Sequence, residues 1–339
     1  MNSEPTPEPT TPAPVPPAPS APEGAVRIPP SAGPALDRVA ATTPASASPG
    51  PAPTVRRVPI PRPAIDRGVR VTRLIILTCL GIWVWVNSGD SKPELIPQLR
   101  PYGVRIADEI WSGAYWALWP AAFVHVDFWH VVLNMMATWT LGSTMERTVG
   151  PWKFLLFCLA SAPITTGIQL AASGSTGIGF SGVVFAIFGF LWAGVARYPE
   201  FRRVIHRANL VMLLGWLGVC FIVTWLDLLP IANAAHVAGL LWGLATGLAF
   251  TARQPVPRAV GAVGGLAMAA AVVVSLFWAP WLEIWLGYKA EQAARGHDYE
   301  AALQYVDTVL ERDPESKWAG RYRKRLLWLQ RRDSEVETL

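Results

Sequence analysis

The stretch Gly177-Ile178-Gly179-Phe180-Ser181-Gly182, followed at once by the apolar run Val183 to Val195, sets a serine between glycines at the mouth of a hydrophobic helix. If that helix crosses a membrane, the serine lies just below the lipid surface, at a helix N-terminus. Free backbone N–H groups and the positive end of the helix dipole favour developing negative charge there. A nucleophile that generates an oxyanion would benefit from that position. Taken alone, the same residues are explained more readily by close packing, because Gly and Ser let membrane helices approach. The rest of the chain has to decide between the two.

Composition gives the class. Hydrophobic residues make up 52% of the 339-residue chain and charged residues 16%, against about 25% charged in a soluble domain. The 17 tryptophans suit membrane–water interfaces. The net charge is +5, and the basic residues stand beside apolar segments. That pattern fits the positive-inside rule and argues against a nucleic-acid partner. Cys79, Cys158 and Cys220 all fall inside apolar runs. They read as small core hydrophobes, with no disulfide framework and no metal site expected.

The first 70 residues are rich in Pro, Ala, Ser and Thr and lack apolar periodicity. They read as a disordered cytoplasmic arm, partly polyproline. Apolar segments follow at residues 71–88, 128–146, 151–172, 178–196, 208–228, 232–251 and 259–286. Each is near the ~20 residues a helix needs to cross a bilayer. The fold class is therefore all-α: a polytopic membrane helical bundle, with a six-helix core over residues 71–252 and a seventh transmembrane helix over 253–286. The arginines from Arg56 to Arg73 precede the first span. Arg147 and Lys153, then Arg197, Arg202, Arg203 and Arg207, then Arg253 and Arg258 mark alternate loops. The N-terminus is thus expected in the cytoplasm and the C-terminal end outside it.

In that topology the second, fourth and sixth spans run in the same direction. Each carries its unusual polar residues in its first turns: His130 and Asn134, Ser181, and His236. Polar side chains at such depth are costly and by default point to function. Gly182, Ala186 and Gly189 form one small-residue stripe, and His236, Gly239 and Gly243 form another. Two such stripes permit close backbone approach, which would bring a histidine to the Ser181 hydroxyl.

At this point the residues resemble a family. The box Gly179-Phe180-Ser181-Gly182, the run Ala235-His236-Val237-Ala238-Gly239-Leu240-Leu241-Trp242-Gly243, and the spacing of His125, His130 and Asn134 are together similar to the rhomboid intramembrane serine proteases. The stretch Leu141 to Gly150 also resembles the family's end of the second span. The resemblance covers about 71–251 and implies a Ser–His dyad. Ser181 would be the nucleophile and His236 the general base. His130, Asn134 and the Ser181 backbone N–H would stabilise the oxyanion, and Gly179, Gly182, Gly239 and Gly243 would serve close packing. No metal or organic cofactor is implied. The partners implied are the lipid bilayer and transmembrane protein substrates, cut near the outer face of the cell (inner) membrane. The alternative is a pseudoprotease of the same fold that binds membrane clients without cleaving them.

Two residues depart from the family pattern. Members often carry Trp-Arg in the first loop where this chain has Trp116-Ala117, and many carry Tyr where it has Phe185. Phe185 keeps a ring to pack on His236. His125 reads as a loop anchor, Glu146 as a structural carboxylate, and His206 and His297 as solvated. The loop over 89–127, with Trp111, Trp116 and Trp119, reads as an amphipathic insert in the outer leaflet. Residues 287–339 look like the latter part of a tetratricopeptide repeat followed by one more amphipathic helix. A single repeat cannot bury its own face, so this tail is expected to pack on the membrane domain or on a protein partner.

Overall fold

A computed structural model describes residues 68–89 and 96–337. The arm up to residue 67 lies outside the described residues. Within them the chain is wholly helical, with no strand. In order, the helices are α1 (Arg70–Val86), α2 (Ala107–Trp111), α3 (Phe128–Ala137), α4 (Ser143–Val149), α5 (Pro151–Ser173), α6 (Ser181–Gly194), α7 (Arg207–Trp225), α8 (Asn233–Thr251), α9 (Pro255–Phe277), α10 (Glu283–Arg295), α11 (Tyr299–Arg312) and α12 (Lys317–Glu337). The chain is a multi-pass membrane protein. Among the described residues, four helices, α5, α7, α8 and α9, are long and apolar enough to cross a membrane by themselves. Helices α3 and α4 continue one another through a π-helical turn at Thr138–Gly142.

The expected seventh span stops early. Helix α9 ends at Phe277, the chain turns through residues 278–282, and α10 begins at Glu283. Pro280 explains the break. It lacks an N–H, and it pushes the preceding residue out of the helical region. Trp278 already has an extended backbone. Residues 283–286 therefore belong to the tail and not to the span.

Helix α6 is the short central element. Its 14 residues reach only ~21 Å, against a hydrocarbon core of ~30 Å. If Gly194 sits at one interface, Ser181 lies roughly 10 Å inside the other. Eleven of the 14 residues are buried, so α6 is a core helix with neighbours on all sides. Its chief partner is α8. The two run parallel, with Gly182 beside Gly239, Ala186 beside Gly243 and Phe190 beside Gly247. A methyl group on Gly239 or Gly243 would overlap the backbone carbonyl of Gly182 or Ala186.

Among the described residues, one end of the bundle carries Arg70 and Arg73 at the start of α1, Arg147 and Lys153 on α4 and α5, Arg197, Arg202, Arg203 and Arg207 between α6 and α7, and Arg253 and Arg258 at the turn from α8 to α9. At this end Glu146, fully buried, accepts hydrogen bonds from the N–H groups of Val71 (2.9 Å) and Thr72 (2.8 Å) and from the Thr72 hydroxyl (2.7 Å). A carboxylate from α4 thereby satisfies the first-turn donors of α1 and meets its dipole. At the opposite end the first loop is stitched onto the bundle. Thr166 donates to the Leu118 carbonyl (2.8 Å), Trp119 donates to the Leu159 carbonyl (2.9 Å), and Gly179 donates to the Ala121 carbonyl (3.0 Å).

Helices α10, α11 and α12 pack one after another and share a core with α2, α5 and α9. Trp285, Leu286 and Ala290 of α10 are buried in it, together with Ile110 and Trp111 of α2. The apolar face of the tail is thus covered by the first loop and by the ends of two spans. Trp111, expected at an interface, is buried, whereas Trp116 and Trp119 are exposed.

Candidate active site

Ser181 opens α6, and His236 lies in the first turn of α8. The glycine seam holds these two helix ends in contact, and the Ser181 Oγ sits 2.8 Å from His236 Nε2. His236 is 5% exposed and Asn134 6%, whereas Ser181 and His130 are half-buried. The other ring nitrogen of His236, Nδ1, is buried with no hydrogen-bond partner. Among the described residues, no carboxylate orients the imidazole. The Phe185 ring does so by packing, with its centroid 5.0 Å from that of His236.

The backbone at Ser181 is also arranged for an anion. The first intrahelical bond of α6 runs from Val184 N–H to the Phe180 carbonyl (3.0 Å). The N–H groups of Ser181, Gly182 and Val183 precede it and have no carbonyl behind them to receive them. The chain enters the helix through Gly177 and Gly179, both at positive φ (63° and 106°), a conformation open to glycine at little cost.

Of the four glycines expected to serve close packing, Gly182, Gly239 and Gly243 line the α6–α8 seam, and Gly189 joins them against Leu240 and Leu244. Gly179 does something else. A methyl group there would meet the His130 ring at 2.5 Å, so its bare backbone makes room for His130. His130 thus stands against the loop two residues before Ser181.

Asn134 is turned toward its own helix. Its Nδ2 donates to the His130 carbonyl (3.0 Å) and to His125 Nε2 (3.3 Å). His125, fully buried, has the larger organising role. Its Nδ1 faces the Phe123 carbonyl at 3.1 Å, and its Nε2 accepts the Phe180 N–H at 3.2 Å. A backbone N–H only donates, so Nε2 is the acceptor and Nδ1 carries the proton. One ring ties together the first loop, α3 through Asn134, and the residue before Ser181.

Sequence reasoning missed Gln169. Its Oε1 accepts the Ala235 N–H (3.0 Å), one residue before His236, and so fixes the first turn of α8 from α5. The available signal was a lone amide within the long apolar run of α5. Ala117, which departs from the expected Trp-Arg pair, is fully buried. The Arg105 guanidinium lies 4.9 Å from the Trp116 ring centroid instead.

Comparison with known proteins gives a consistent set of relatives. Residues 112–253 match the family model described as Rhomboid domain. The chain is 32% identical over 176 residues to "Rhomboid protease GlpG" of Klebsiella pneumoniae subsp. pneumoniae, covering 51% of this chain and 60% of that protein. It is 30% identical over 188 residues to the protein of that name from Enterobacter sp. (strain 638), covering 55% and 65%. The Salmonella paratyphi A protein of that name is 27% identical over 192 residues, covering 56% and 66%. The chain thus spans about three fifths to two thirds of the length of these curated relatives.

Proposed function

We propose that this chain, whose residues 112–253 match the Rhomboid domain model, is a rhomboid-type intramembrane serine endopeptidase that cuts transmembrane segments of membrane proteins. The observation that carries this reading is the 2.8 Å approach of Ser181 Oγ to His236 Nε2 at the buried N-terminus of a helix too short to cross the bilayer. His236 Nε2 takes the hydroxyl proton as Oγ attacks the scissile carbonyl. The oxyanion forms at the start of α6, where unpaired N–H groups and the helix dipole favour it. The His130 and Asn134 side chains are proposed as further donors. Each donor placed on the oxyanion is worth about 3 kcal/mol. Because Asn134 is engaged with His125 and the His130 carbonyl, its amide turns or exchanges partners when substrate arrives. The imidazolium then gives its proton to the leaving amine, an acyl-enzyme remains, and water hydrolyses it. Nothing in this sequence needs a metal or an organic cofactor.

The basic end of the bundle is assigned to the cytoplasm, together with the N-terminus. The serine end and the tail then lie on the outer side of the cell membrane. The test is cleavage of a single-span substrate in proteoliposomes. The wild type is expected to cut, and Ser181→Ala and His236→Ala are each expected to lose at least about a thousandfold. A wild type that retains the substrate without cutting it, in several lipid compositions, would support the pseudoprotease instead.

A further inference from the structure

We propose that the basic end of the bundle carries a binding site for one anionic phospholipid, in the cleft between α5 and α8. The cleft has a volume of about 670 Å³, within the range of about 300–1,000 Å³ typical of ligand pockets. Phe190 forms its floor, Leu156 and Phe157 one wall, and Trp242 and Phe250 the other. It lies too far from the serine to belong to that site. Phe190 is nine residues along α6 from Ser181, about 13 Å.

The polar atoms within the walls are already satisfied. Trp242 Nε1 donates to Ser161 Oγ (3.0 Å), Thr246 Oγ1 to the Trp242 carbonyl (2.7 Å), and Thr251 Oγ1 to the Gly247 carbonyl (2.6 Å). What remains is hydrocarbon, and Leu156 (65% exposed) and Phe250 (75%) open it toward the bilayer. Water gains nothing in such a space, whereas an acyl chain fills it. The Lys153 ammonium and the Tyr198 hydroxyl stand at the basic end of the cleft. Neither has an ion-pair or hydrogen-bond partner among the described residues. A cation and a donor at the end of an apolar slot match a phosphate headgroup above its acyl chain. That end also carries the arginines that place it at the anionic leaflet.

The experiment is native mass spectrometry of the full chain in micelles, with phosphatidylglycerol or phosphatidylcholine of identical chains. The wild type is expected to retain one phosphatidylglycerol, preferred about fivefold over phosphatidylcholine. Lys153→Gln is expected to erase the preference and Lys153→Arg to keep it. Ala160→Trp, which fills the cleft from α5, is expected to lower retention of both lipids. A photoactivatable acyl chain is expected to label peptides of α5 and α8. Equal retention of the two lipids by the wild type, or an unchanged preference in Lys153→Gln, overturns the proposal. So does labelling confined to other helices. Retention of glycerophosphoglycerol, the headgroup without chains, would show an ion site instead.

Discussion

His125 is the residue on which the candidate site depends most without standing at its centre. It connects Phe123 of its own loop and Asn134 of α3 to Phe180, 55 residues along the chain. Removing its acceptor leaves a buried N–H at Phe180 and a buried amide at Asn134, at a cost of about 1–3 kcal/mol each. His125→Leu is therefore expected to lower kcat about ten- to hundredfold, by shifting the loop that presents Ser181. KM should change little. Steady-state cleavage and thermal unfolding in detergent check both parts, and a large rise in KM with normal kcat would contradict the positioning role. His297 makes a smaller point of the same kind. Expected to be solvated, it is 75% exposed, and its Nδ1 also meets Asp333 Oδ2 at 2.9 Å, linking the α10–α11 turn to α12.

At the scale of elements, the seam between α6 and α8 is where sequence and site meet. The small-residue stripes are visible in the chain, but their contact is backbone to backbone. That contact lets a first-turn histidine on one helix reach a first-turn serine on the other. Gly239→Ala would drive a methyl group into the Gly182 carbonyl, forcing the helices apart just below the dyad. Overpacking of this sort costs about 1–3 kcal/mol or more, and the misplaced pair should lose at least about a hundredfold in activity. Gly215→Ala and Gly218→Ala on α7 have nothing within 4 Å of the added methyl group, and both should be near neutral. Melting temperature and cleavage rate, measured side by side on the three variants, decide this. Equal effects on both helices would remove the seam from the explanation.

At the scale of the whole molecule, the tail is tied to the serine end through the first loop. Trp111 of α2 meets Tyr288 of α10 with ring centroids 5.6 Å apart, and Ser112 Oγ is 3.2 Å from the Tyr288 hydroxyl. The same loop holds Gly179 through Ala121, so the tail and the approach to Ser181 share one support. Trp285 is 5% exposed in the common core, and Trp285→Ala should cost about 3–5 kcal/mol of tail packing. Limited proteolysis is expected to cut the variant early at the α10–α11 turn, while the membrane helices stay intact. A protease-resistant tail in that variant would show that the packing does not depend on Trp285.

The sequence by itself determined the class, the order of the membrane helices and the place of each polar residue near a helix start. Those features are local: apolar run lengths, charge at alternate loops, and polar residues at fixed offsets within one span. The break at Pro280 was equally local, yet the strong apolar signal on both sides hid it. Only the tertiary structure decided which groups satisfy one another. Gln169 reaching Ala235, Glu146 meeting the start of α1, His125 holding the Phe180 N–H, and Gly179 yielding space to His130 are contacts between distant segments. No periodicity announces them, because a buried donor or acceptor constrains its partner's position in space and leaves its position in the chain free. The opening box follows the same division. Its glycines and serine were legible as a motif, and the folded chain gave each glycine its separate neighbour.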